Sequence, residues 1–228
     1  MTIQQTGILK ERASRLKVAK KVGEIVGGRF LLAGGALTKD DSPKDFDIYG
    51  VDEPLGITTI EWRLLADMSI GGYLSRTTNA ITTRIFGQVV QFCAYHKPTP
   101  QKTVEAFDFA HCMAGAVFSA SGEVMEVVAT PDFWQSEESG TTWYTGSEYP
   151  LSSLMRCMKF HKRGLFSKED HKPAALRILY DIVERGFKDY DDFQDQCASV
   201  SESFRAYNCL EADDLFALLE KKGGGDGK

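Results

Sequence analysis

LLAGGALTKDDSPKDFDIYG, residues 31–50, is the stretch from which the fold can be read. A short apolar run ends at Gly34-Gly35, a polar loop follows, and Asp45-Phe46-Asp47 opens a second apolar run. Side chains alternate along a strand, so Asp45 and Asp47 aim their carboxylates at one face. Glycine alone lets the backbone come close to a ligand with no Cβ between them. Two carboxylates converging beside a glycine turn suit a divalent cation that carries nucleotide phosphates.

Upstream of this stretch, residues 7–26 carry Ile8, Leu9, Leu16, Ala19, Val22, Ile25 and Val26 at near-helical spacing, and Gly27-Gly28 supplies a stop. Downstream, TTIEWRLLADM (58–68) predicts a short helix. The runs 73–86 and 89–95, rich in β-branched and aromatic residues and parted by Gly87, predict a hairpin. Thr99 is placed to cap a helix that begins at Pro100. A second hairpin is expected from Val117-Phe118 and 123–128 around Ser121-Gly122, and His111 is expected to pack within a strand. Residues 130–149 lose periodicity and read as a linker or a loop over the site.

The chain has 228 residues, 43% hydrophobic and 26% charged, enough apolar content for a buried core and inconsistent with general disorder. Its net charge of −5 argues against non-specific coating of nucleic acid but leaves room for a local basic groove. Five cysteines without a C-x-x-C pair, and no secretory leader, predict a reducing cytoplasmic setting. No apolar run reaches the roughly 18 residues that a membrane span needs, so no membrane partner is expected.

The run GGALTKDDSPKDFDIYG resembles the head-domain signature of the nucleotidyltransferase (DNA polymerase beta) superfamily. It is most similar to the branch of tRNA CCA-adding enzymes and bacterial poly(A) polymerases. The resemblance implies that Asp45 and Asp47 hold catalytic Mg²⁺ or Mn²⁺, and that Gly34, Gly35 and Lys44 lie against the triphosphate. It extends to FDFAHC (107–112), similar to a reduced form of the family's Arg-Arg-Asp-Phe-Thr-x-Asn-Ala motif and making Asp108 a nucleotide-binding candidate. A further likeness is YPLSSLMRCMKFHKRGLF (149–166), similar to the family's neck helix with Arg156 and Lys159 as candidate phosphate contacts. Departures from the pattern are specific. Leu37 and Thr38 stand where the branch has an arginine, Ala106 and Phe107 replace two motif arginines, and Gln91 occupies the place of an expected third carboxylate. Glu123 and Glu126 are the nearest later acids.

The expected architecture is α+β: a nucleotidyltransferase-like mixed sheet flanked by helices over 1–135, a linker over 136–149, a small all-α neck-like domain over 150–222 and a disordered tail over 223–228. A short final helix is expected over 210–222. The expected activity is metal-dependent transfer of a nucleoside monophosphate from an NTP to a hydroxyl acceptor, either an RNA 3′ end or a small or protein acceptor. The alternative is a catalytically impaired protein of the same fold that serves as a nucleotide-binding or interaction module.

Overall fold

The chain opens with helices α1 (Ile3–Ser14) and α2 (Val18–Val26), then β1 (Phe30–Ala33), a 3-10 turn at Gly35–Leu37, β2 (Asp45–Gly50) and α3 (Ile57–Ala66). It continues through β3 (Ser75–Arg76), β4 (Ala80–Ile85), β5 (Gln88–Cys93), α4 (Pro100–Glu105), a 3-10 turn at Ala110–Cys112, β6 (Ala114–Phe118), β7 (Val124–Ala129) and α5 (Pro131–Ser139). Helices α6 (Pro150–Lys162) and α7 (His171–Arg185) follow. These elements come from a computed structural model that describes residues 1–39, 45–70, 72–77, 79–166, 171–190, 192, 193 and 196. The helix expected over 210–222 and the expected tail lie outside the described residues. Two compact units divide the chain, Met1–Thr145 and Gly146–Lys228.

The first unit is an α+β body around one mixed sheet. Among the described residues its strand order is β3-β4-β5-β2-β1-β6-β7. Only β2 and β5 pair in parallel; the other neighbours are antiparallel. A parallel pair needs a crossover, and α3 with the β3–β4 hairpin supplies it.

Alternation along the central strands sorts the two faces. Phe30, Leu32, Phe46, Ile48, Val90 and Phe92 point one way and join Leu9, Val22, Ile60 and Leu64 of α1–α3 in the main core. All of these are at most 2% exposed, and burying each such side chain contributes about 1.5–3 kcal/mol. Leu31, Ala33, Tyr49, Val117 and Val128 point the other way, under Val104 of α4 and Phe107. The Phe107 ring lies 5.8 Å from that of Tyr49. This cover reaches only part of the second face.

Two expected elements differ in the structure. The single helix expected over 7–26 is two helices, because Val18 follows Ala13 by five positions and one straight helix cannot bury both apolar stripes. The expected linker carries α5, whose polar sequence hides the periodicity while its ends are well marked. Thr130 accepts from the Phe133 N–H, Pro131 takes the first turn, and Gly140 closes the helix at φ 70°.

The second unit is all-α in its described part. In α6, Ser152, Ser153, Cys157 and Phe160 are buried, as are Ala174 and Ile178 of α7, so the two helices pack through these stripes. Arg156 and Lys159 stand one turn apart on α6, with the Lys159 ammonium 5.8 Å from the centre of the Phe160 ring. Among the described residues no helix is long and apolar enough to cross a membrane.

Candidate metal and nucleotide site

Where β1 leaves the sheet, its chain turns sharply at Gly34, which has φ 86° and ψ −153°. Side chains other than hydrogen are essentially excluded from that region, so the turn requires glycine. A Cβ there would also lie 3.2 Å from Asp47 Oδ2, which places that carboxylate against the turn. Gly35 differs, since a Cβ built on it would meet nothing of this chain within 4 Å. The protein's own packing does not require that residue to be glycine.

Register fixes the neighbours of the two aspartates. Asp47 pairs with Ala33 of β1 on one side and with Gln91 of β5 on the other. Gln91 pairs in turn with Thr82 of β4, to whose Oγ1 it donates at 3.3 Å. Asp45 pairs with Val89, and Val89 with Arg84. Paired residues share a face, so two rows run across the sheet, Asp47–Gln91–Thr82 and Asp45–Val89–Arg84. Both aspartates are half-buried, on the part of the face that α4 leaves open.

Asp47 is felt by its surroundings. The Cys93 thiol, two residues beyond Gln91, is pushed well above the usual thiol range, first by burial and then by the negative charge of Asp47; a hydrogen bond with Tyr49 opposes the shift. Its Sγ lies 3.8 Å from Gln91 Oε1.

The donor set suits a hard cation. Magnesium is commonly held through one or two carboxylates, with waters and substrate phosphates completing its shell. Asp45 and Asp47 supply two carboxylates and Gln91 an amide oxygen beside them. Among the described residues no group of three or more His, Cys, Asp or Glu side chains gathers as a metal site. Glu126 does not supply the third acid. It pairs with Val117 on β7, three strands from β2 and thus about 14 Å away. Glu123 precedes that same edge strand.

The remaining candidates are dispersed. Asp108 is buried in the turn after α4, beside Phe107, and its carbonyl accepts from the Thr145 N–H at 3.0 Å. Lys44 lies outside the described residues. Arg156 and Lys159 belong to the second unit. His111 lies in a 3-10 turn rather than a strand, with Nδ1 2.8 Å from Thr142 Oγ1 and Nε2 3.3 Å from Cys112 Sγ. Thr142 could not be read as its partner from local spacing, since 31 positions separate them.

One group near the turn had not been expected. Glu137 of α5 accepts from Arg12 of α1 at 2.7 Å and from the Lys39 backbone N–H at 3.2 Å. Arg12 also donates to the Leu37 carbonyl at 2.8 Å, and the Lys39 ammonium to the Glu137 carbonyl at 2.7 Å. The Glu137 side chain is only 11% exposed. Two helices therefore hold the chain that leaves the Gly34 turn.

No protein-family model matches the sequence, and no curated protein matches it. Solved structures do share its fold. The Thermotoga maritima CCA-adding enzyme complexed with tRNA superposes with TM-score 0.51 at 13% identity, covering 93% of this chain and 54% of that one. A CCA-adding enzyme with CTP gives 0.50 at 15% identity over 93% and 52%. A complex with ATP gives 0.51 at 12% over 87% and 49%. The chain thus shares its fold with these CCA-adding enzymes, and it spans about half the length of those structures.

Proposed function

We propose that the protein binds a nucleoside triphosphate with a divalent cation and transfers its nucleoside monophosphate to a hydroxyl acceptor, releasing pyrophosphate. The observation that carries this reading is the pair Asp45 and Asp47 on one sheet face, with Asp47 Oδ2 set against the Gly34 turn. The shared fold supports the class of reaction. The acceptor is an RNA 3′ end or a small or protein hydroxyl.

Asp45, Asp47 and the amide oxygen of Gln91 would hold Mg²⁺ or Mn²⁺. Such an ion supplies Lewis-acid stabilisation of the charge that develops in an in-line displacement. Gly34 turns the backbone beside the carboxylates, and Gly35 leaves open the space a Cβ would fill, so phosphate oxygens can approach main-chain N–H groups there. The Glu137 clamp keeps Leu37 and Lys39 fixed before substrate arrives, which lowers the ordering cost of binding. Asp108 is assigned to the nucleotide. Two domains are assigned, a head and a helical neck.

A second reading is favoured by one residue. Gln91 brings an oxygen but no negative charge where a third carboxylate would strengthen metal binding. On this reading the protein binds nucleotide without transferring it.

The test incubates the protein with each labelled NTP, Mg²⁺ or Mn²⁺, and total RNA or lysate, beside Asp45→Asn and Asp47→Asn. The enzyme reading expects label transfer that both variants lose. Nucleotide-dependent thermal stabilisation without transfer selects the binding protein. Absence of both transfer and stabilisation in the wild type refutes the site.

A further inference from the structure

Building on that proposed nucleotide site, we infer that Arg84 is its phosphate-binding cation and takes the distal phosphates of the triphosphate. Register carries the inference. Arg84 is opposite Val89 and Val89 is opposite Asp45, so all three share the face that holds the carboxylates. Two strand spacings place the arginine backbone about 10 Å from that of Asp45. Val89 lies between them and presents no charge that would compete for the guanidinium.

Several other cations of the first unit are engaged elsewhere. Lys21 pairs with Asp67 and Glu24, Arg76 with Glu61, and Arg29 with Asp52. Arg12 is held in the Glu137 clamp, and Arg63 donates to the carbonyls of Ile25 and Val26. Arg84 has no carboxylate partner among the described residues; its one hydrogen bond goes to the Gly87 carbonyl at 3.3 Å. Along the strand residues of the aspartate face, β2 to β5 and β1 to β7, it is the only cation among the described residues.

The hairpin that presents it is tightly defined. Ile85 pairs with Gln88, and the two turn residues between them, Phe86 and Gly87, have φ 52° and 80°. Positive φ at both positions is the turn that fixes a two-residue hairpin in register. The face of Arg84 is thereby set by the backbone rather than by a flexible loop. Its planar fork is suited to the paired oxygens of a phosphate in a way that an ammonium is not.

The experiment titrates MgATP and MgAMP into the wild type, Arg84→Ala and Arg84→Lys, with melting temperatures recorded for each. Because Arg84 is exposed, the variants should melt within about 1 °C of the wild type. Loss of a charged phosphate contact should raise the Kd for MgATP about tenfold in Arg84→Ala, with Arg84→Lys in between. The Kd for MgAMP should change less than about twofold, since AMP has no distal phosphates. Raised salt should weaken wild-type binding more than that of Arg84→Ala. An unchanged Kd for MgATP in Arg84→Ala, with the wild type binding, overturns the inference and leaves the nucleotide site standing. Equal losses for ATP and AMP also overturn the distal-phosphate assignment. A wild type that binds no nucleotide overturns both.

Discussion

Gln91→Glu adds a carboxylate without changing side-chain volume, and the structure says where it goes. Position 91 pairs directly with Asp47 across β5 and β2, so the two carboxylates would stand about 6 Å apart, allowing for the strand spacing and side-chain spread. At that distance two unit charges repel by about 3 kcal/mol in an effective dielectric of 20. Both positions are half-buried, and solvent screening reduces the figure to about 1–1.5 kcal/mol. Local packing tolerates the change, because Thr82 Oγ1 now accepts from the Gln91 amide and its hydroxyl can turn to donate to a glutamate instead. In EDTA near neutral pH the variant should therefore melt about 3–5 °C below the wild type. The deficit should shrink at mildly acid pH, where one carboxyl of the group takes up a proton. Mg²⁺ or Mn²⁺ should reverse it and stabilise the variant more than the wild type. Thermal melts across a metal and pH grid read all three effects. Equal melting temperatures in EDTA together with equal metal responses would refute the claim that Gln91 faces the aspartates.

Gly34→Ala and Gly35→Ala should behave oppositely. The first forces a Cβ into a conformation reserved for glycine, costing about 1–3 kcal/mol and several degrees in melting temperature. The second meets open space, so it should leave stability unchanged while weakening MgATP binding in a titration. Asp67→Asn tests the acid limb of stability. Asp67 is held down to about 2, first by its hydrogen bond with Lys21 and then by Ser69. A carboxyl depressed in the folded state contributes stability above its ordinary value near 3.8, which is lost as pH falls toward 2. Denaturant melts should show the wild type losing stability between those values and Asp67→Asn losing less.

Much of the sheet could be read because one physical pattern dominates it. Strict alternation around Asp45-Phe46-Asp47 and the Gly87 break mark the strands, and Thr99-Pro100 marks α4. The face shared by the two aspartates follows from the same alternation. Elements defined by distant partners could not be read. Helix α5 lacks an apolar stripe, and only its Thr130-Pro131 start and Gly140 stop announce it. Glu137 meets Arg12 across 125 positions, a pairing no local spacing encodes. The place of Arg84 in the aspartate row follows by counting back from Gly87 through the hairpin register.

The strap that follows α5 has a practical consequence for where the first unit can be cut. Thr142 bonds to His111, the Trp143 carbonyl accepts from the Ala110 N–H, Tyr144 bridges Phe109, and Thr145 donates to the Phe107 carbonyl. A fragment ending at 135 would lose this edge as well as Glu137, leaving the turns at 106–112 and 35–39 without their outer partners. The shortest piece able to keep the aspartate face in order runs through Thr145. Fragments stopped at 135 and at 145 would thus differ in folding cooperativity, although both retain Gly34, Asp45 and Asp47.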